Sequence, residues 1–126
     1  MVRRISPEFD MQCALFQWAR LYAKNYPGLD LLSCSLNGVK LTKAQAGKAK
    51  AAGMLKGEHD VKLPVARGGY HGLSIELKAG KNKATGEQVW YGERLSEEGW
   101  LVGYCWQWTA AAHLITAYLS GKMTRI

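Results

Sequence analysis

One α/β domain, a mixed β-sheet sandwiched between helices, is the architecture this sequence predicts, and three observations point to it. Segments with helix caps and broad apolar faces alternate with short segments of two-residue period. The central run, Asp60 to Ala79, turns back on itself through glycines with apolar alternation in both flanks. The length, 126 residues, suits a single core spanning residues 1–126 and leaves no room for a second domain.

Ser6 and Pro7 open the first helix as N-cap and first helical residue, with Glu8 and Asp10 near the positive end of its dipole. Phe9, Cys13 and Phe16 join Leu15, Trp18 and Tyr22 in an apolar face that runs to about Tyr26, where Pro27-Gly28 ends the helix. Leu29 to Leu36 reads as a buried strand that begins the sheet, and Asn37-Gly38 as a turn. Thr42-Lys-Ala-Gln45 is a capping box opening an Ala-rich, basic helix that stops at Gly53. Beyond the central hairpin, Gly80-Lys-Asn-Lys-Ala84 is a basic loop, and Thr85-Gly-Glu-Gln88 is a second capping box whose helix continues through Val89, Trp90 and Leu95 to Gly99. Trp100 to Trp106 is a strand, its tryptophans reading as core or interface rather than as surfaces for stacking bases. Thr109 caps the last helix, Ala110 to Leu119, with Leu114, Ile115, Tyr118 and Leu119 inward.

Composition narrows the class. No apolar run approaches the ~20 residues needed to cross a bilayer, and the basic start Met1-Val-Arg-Arg4 leads into polar and acidic residues rather than a signal-peptide core. A soluble, cytoplasmic protein without membrane partners is expected. Cys13, Cys34 and Cys105 are widely spaced in apolar patterns and read as buried free thiols, and His59, His71 and His113 show no paired metal-ligand spacing. The net charge is +7, and ten of the 17 basic residues fall between Lys40 and Lys83. Only Glu58, Asp60 and Glu76 oppose them in that window. A basic surface enclosing a few carboxylates suits a polyanion such as DNA, although a basic but inert surface has the same composition.

The hairpin supplies the chemistry. Val61, Leu63 and Val65 share one face with Leu73, Ile75 and Leu77, leaving Asp60, Lys62, Ser74, Glu76 and Lys78 on an opposite, charged face. A pivot at Gly68 sets Asp60 across from Glu76 at roughly 5 Å between Cβ atoms. Two carboxylates that close must share a proton or a cation, and a hard divalent ion such as Mg²⁺ accepts oxygen ligands of this kind. Lys78 emerges on the same face, where an ammonium can orient or deprotonate a water or offset charge on a phosphate.

Gly57-Glu-His-Asp60, Gly72-Leu-Ser-Ile-Glu76-Leu-Lys78 and Thr85-Gly-Glu-Gln88 together resemble the virus-type replication-repair nuclease (VRR-Nuc) domain of the restriction-endonuclease-like superfamily, over Ser6 to Leu119 and with Asn37-Gly38 before the second helix. His59 stands where that family usually has Pro, and Leu41 where a basic residue is common. The resemblance implies a restriction-endonuclease-like core with a central mixed β-sheet flanked by helices. It implies a catalytic set of Glu8, Asp60, Glu76, Lys78 and Gln88, with Mg²⁺ or Mn²⁺ held by Asp60, Glu76, the Leu77 carbonyl and Glu8. Asn37, Lys40, Lys43, Lys50, Lys81 and Lys83 are the candidate DNA contacts. The further implication is a homodimeric, structure-selective endonuclease for branched DNA such as Holliday junctions, as stand-alone phage and bacterial members look to be. Two bland readings stay open from the residues themselves: Glu8 as a first-turn acid complementing the dipole, and Gln88 as a capping-box residue reaching back to the backbone. A DNA-binding module without turnover, and a nuclease of flap, nicked or duplex substrates, are the alternatives.

Overall fold

The computed structural model describes residues 7–35 and 41–126. The N-cap at Ser6, the Asn37-Gly38 turn and the DNA contacts expected of Asn37 and Lys40 lie outside them. Within them the order is α1 (Pro7–Tyr22), β1 (Ser33–Cys34), α2 (Lys43–Ala51), β2 (Val61–Leu63), β3 (Leu73–Leu77), α3 (Gly86–Glu97), β4 (Leu101–Cys105) and α4 (Trp108–Leu119). The sheet runs β1-β2-β3-β4, with β1, β2 and β3 antiparallel and β3 parallel to β4. That is the mixed sheet expected, and α3 is the crossover that a parallel pair requires.

The apolar face of the hairpin forms the main core. Val61, Leu63, Leu73, Ile75 and Leu77 are buried against Leu15 and Ala19 of α1 and Ala111, Ile115 and Tyr118 of α4. Each aliphatic side chain so buried contributes about 1.5–3 kcal/mol. The Tyr118 hydroxyl reaches the Val65 carbonyl at 2.5 Å, which satisfies its polar end inside the core.

The opposite face is not the solvated surface that the alternation suggested. All five residues of β3 are buried, Ser74 and Glu76 included, because α3 lies over them. Gly92 permits that approach: a Cβ there would sit 2.5 Å from the Tyr104 hydroxyl and 3.2 Å from the His59 ring.

The register is Val61 to Ile75, Lys62 to Ser74 and Leu63 to Leu73, which continues to Asp60 opposite Glu76. The turn that produces it holds both Gly68 and Gly69 at positive φ, with Arg67 and Tyr70 exchanging backbone hydrogen bonds across it. Pro64, Val65 and Ala66 on one side face only His71 and Gly72 on the other, an extra residue that makes this a bulge. A regular ladder from the Arg67–Tyr70 pair would have set Asp60 against Leu77, so the bulge brings the two acids into register.

Other boundaries differ from expectation. Of the expected strand Leu29 to Leu36, Leu36 lies outside the described residues, and the rest is not one strand: Leu29–Leu31 forms a 3-10 turn after Gly28, whose φ is 98°, and among the described residues Ser33–Cys34 is the part that pairs with β2 as a strand. The three-residue turn places Leu29 and Leu32 on one side, toward the core, and leaves Leu31 exposed. Helix α1 ends at Tyr22 in a turn closed by the Asn25 N–H on the Tyr22 carbonyl, ahead of Tyr26. Helix α4 starts at Trp108 with Gln107 as N-cap, a turn position earlier than a Thr109 cap would allow, because Gln107 is extended and already accepts from the Ala111 N–H. Cys105 is buried, but Cys13 and Cys34 are exposed; all three are free thiols.

Candidate active site

Past Val61 and Ile75 the two central strands stop exchanging backbone hydrogen bonds, and side chains take over. The Asp60 carboxylate accepts from the Leu77 N–H at 2.9 Å, while the Glu76 carboxylate accepts from the Asp60 N–H at 3.2 Å. Each acid therefore occupies the backbone donor that the other strand would have used. The Leu77 carbonyl shares the parity of its N–H and points into the same gap.

Glu76 is only 3% exposed. Burial and, next, the Asp60 charge push its carboxyl up to about 8, with the Lys78 ammonium opposing. Asp60 is also raised, chiefly by burial, against the pull of the Leu77 N–H bond. At neutral pH the pair holds about one proton between two carboxyls, as like charges at this separation must.

Lys78 and Gln88 converge on the outer oxygen of the same acid. The Lys78 ammonium, on a side chain 6% exposed overall as a residue, lies 3.5 Å from Glu76 Oε2, and Gln88 Nε2 donates to that oxygen at 3.0 Å. The two readings of Gln88 turn out to be compatible. Its Oε1 accepts from the Thr85 N–H at 2.9 Å, while the Thr85 hydroxyl accepts from the Gln88 N–H at 3.2 Å. The capping box uses the amide oxygen and thereby aims the amide nitrogen at Glu76.

Glu8, in the first turn of α1, stands at the rim. Its Oε2 accepts from the Ala79 N–H and from Asn82 Nδ2, both at 3.1 Å, which ties the start of α1 to the loop after Lys78. Its charge raises the Asp60 carboxyl further. Among the described residues no three His, Cys, Asp or Glu side chains converge as a metal cluster. The acidic donor set in contact is therefore Asp60 and Glu76, with the Leu77 carbonyl beside them and Glu8 apart.

In the sequence His59 stands out only for its place before Asp60. In the structure it is fully buried, with Nδ1 2.8 Å from the Ser74 hydroxyl and Nε2 2.9 Å from the Gln88 carbonyl. The carbonyl can only accept, so Nε2 carries the proton and Nδ1 accepts from Ser74. Burial holds this imidazole below its ordinary pKa, and the neutral ring packs edge-on to Tyr91 and Tyr104. His59 thus joins the Asp60 loop, β3 and α3 in a single contact. The position directly before Asp60 was the signal that could have found it.

Lys81 and Lys83 are exposed and flank Asn82 on the loop that holds Glu8, while Lys43 and Lys50 are exposed on α2, which buries no residue. No hydrogen bond or ion pair among the described residues joins Lys43 or Lys50 to the carboxylates. Of the two tryptophans expected in the core or an interface, Trp100 is half-buried and Trp106 is exposed, so Trp106 is not a core residue; Trp90, on α3, is exposed as well.

A scan against protein-family models finds no match, and neither does a search of curated proteins. Among solved structures, one titled "VRR_NUC domain protein" is similar with a TM-score of 0.75, covering 94% of this chain and 93% of its own, at 26% identity. The four-stranded mixed sheet with its flanking helices is accordingly the restriction-endonuclease-like fold.

Proposed function

We propose that this chain is a nuclease domain of the VRR-Nuc type, and within that class a Mg²⁺- or Mn²⁺-dependent DNA endonuclease acting on branched DNA such as Holliday junctions. The observation that carries the reading is the interlocked pair, Asp60 and Glu76, each bonded to the other's backbone region, with Glu76 buried and Asp60 half-buried. Its support is the likeness over nearly the whole chain to a solved VRR_NUC domain protein.

The donors suit a hard dication. Two carboxylates that now share a proton, with a backbone carbonyl beside them, form an all-oxygen set whose repulsion a divalent ion would relieve better than a proton does. Asp60, Glu76 and the Leu77 carbonyl would hold it, with Glu8 within electrostatic reach. When bound, such an ion supplies Lewis-acid polarisation of the scissile phosphate and a lower pKa for the attacking water. The chain's own groups do the rest. Lys78 places a positive charge beside Glu76 to offset the charge that accumulates on the phosphoryl oxygens. Gln88, fixed by the α3 cap, keeps Glu76 in one rotamer and so holds the pair in place. The exposed lysines of the 80–83 loop attract the DNA backbone toward this end of the sheet.

A branched substrate presents two related strands, and one chain of this size carries one such site. Two copies about a two-fold axis would supply paired cuts. The test is a panel of labelled four-way junctions, flaps, nicked and intact duplexes incubated with Mg²⁺ or Mn²⁺. Preferential, metal-dependent cleavage of junctions by wild type, lost in Glu76→Gln, is the expected result. Cleavage unchanged in that variant would remove Glu76 from the mechanism, and binding without cleavage in any metal would leave a DNA-binding module.

A further inference from the structure

On the nuclease reading, the interlocked acids would act on a phosphate through the ion they hold, and every nucleic acid presents phosphates alike. A second feature at the same end of the sheet bears on that selection. Backbone pairing of β3 with β4 extends to the Lys78 N–H, which donates to the Cys105 carbonyl at 2.9 Å. Trp106 follows at once. Along β4, Val102 and Tyr104 face α3: both line the space above Gly92, and the Tyr104 hydroxyl donates to the Gln88 carbonyl. Trp106 continues that parity, so it leaves the strand on the side of Glu76 and Lys78.

Its indole N–H donates to the Asn82 carbonyl at 2.8 Å, and Asn82 Nδ2 in turn donates to Glu8. A hydrogen bond from the indole nitrogen lies in the ring plane, so it fixes the ring by its edge and leaves its faces uninvolved. Trp106 remains 42% exposed, and among the described residues no aromatic ring stacks on it. Lys81 and Lys83, both exposed, stand on either side of its hydrogen-bond partner. An oriented apolar plane beside cations and a phosphate-cutting centre is complementary to a nucleobase whose phosphates lie along that loop.

We propose that Trp106 is a stacking platform for an unpaired nucleobase next to the scissile phosphate. The inference rests on the nuclease reading above and specifies its substrate. Inside a duplex both faces of a base are covered by its neighbours, so only a nucleotide at a branch, flap or single-stranded end can present a face to the ring. Selection for branched DNA then follows from one side chain.

The test uses flap and four-way-junction oligonucleotides carrying 2-aminopurine at each nucleotide flanking the branch in turn, titrated in EDTA with wild type, Trp106→Ala, Trp106→Phe and Trp90→Ala. Trp90 serves as the exposed tryptophan that is not bonded to this loop. Wild type and Trp90→Ala should quench one branch position severalfold. Trp106→Ala should lose the quench and bind branched DNA about tenfold more weakly, with affinity for intact duplex unchanged. Trp106→Phe, which keeps a ring but cannot bond Asn82, should retain most of the quench. Quenching by Trp106→Ala equal to wild type overturns the proposal. So does a Trp106→Phe variant as defective as Trp106→Ala, which would make the ring only a clamp for Asn82. The same samples in Mg²⁺ and Mn²⁺ separate the two ideas. If wild type cuts but the alanine variant still quenches, stacking fails and the nuclease reading stands. A wild type that cuts nothing while the alanine variant loses its quench gives the reverse.

Discussion

Stability of the metal-free protein should fall between pH 6.5 and 8, and replacing Glu76 by Gln should abolish that fall. Glu76 titrates at about 8 in the folded chain against 4.5 for an unperturbed Glu. The folded state therefore binds the extra proton across this interval, and its contribution to stability, full below pH 4.5, is lost as pH rises through 8. His59 acts in the opposite sense. Its folded pKa is depressed, so stability is lost as pH falls below about 6.5, where the unfolded chain takes up the proton. The two slopes oppose one another below 6.5; above it the slope belongs to the carboxyl pair, in which Asp60 is raised in the same direction as Glu76. One proton over about 1.5 pH units corresponds to about 2 kcal/mol, or roughly 6–10 °C in Tm for a domain of this length. Gln is the neutral counterpart of the protonated acid, so the variant should match wild type near pH 6 and exceed it by that amount at pH 8. Thermal unfolding in EDTA at half-unit pH steps measures this. Added Mn²⁺ should restore wild-type stability at pH 8 and leave the variant unmoved. A flat wild-type profile above pH 6.5, or parallel profiles for the two proteins, would refute the account of a proton shared between the two carboxyls.

Three other outcomes follow from the same geometry. Lys78→Met should lower cleavage of any substrate the wild type cuts by at least about a hundredfold, while the Mn²⁺-induced rise in Tm persists, because the carboxylates that hold the ion remain. His59→Ala removes a fully buried ring, leaves the Ser74 hydroxyl without its acceptor and leaves the Gln88 carbonyl with Tyr104 but without the imidazole; a loss of about 2–4 kcal/mol in urea unfolding is expected, and a loss below about 1 kcal/mol would show that water replaces the imidazole without penalty. Removing both Lys81 and Lys83 should reduce the slope of log affinity against log salt for duplex DNA by roughly two if each contacts a phosphate, and an unchanged slope would place the backbone elsewhere.

Much of the fold is legible in the chain because it is governed by local rules. Both capping boxes, Thr42 with Gln45 and Thr85 with Gln88, form where the spacing put them. The apolar alternation around Gly68-Gly69 identified the core face of the hairpin, since a half-buried strand repeats every two residues. Leu29 to Leu36 misled because a short apolar run is equally compatible with a strand and with a 3-10 turn, and Gly28 at positive φ favoured the turn. Cys13 and Cys34 misled for a related reason: apolar sequence neighbours do not guarantee a covering layer.

The acids, the lysine and the glutamine were readable as residue types at suggestive spacings; a pivot at Gly68 gives the Asp60–Glu76 register, but the turn itself pairs Arg67 with Tyr70, and the bulge is what restores that register. The sequence could not show that the charged face is enclosed. That depends on α3 crossing over β3, on Gly92 letting it settle, and on His59 joining three elements that are distant along the chain. Nor could it show the bulge at Pro64–Ala66, without which Asp60 would face Leu77. Caps and alternation arise from interactions over three or four residues and are written into the chain directly. The environment that makes two carboxylates share a proton arises from what covers them, and only the packed structure determines that.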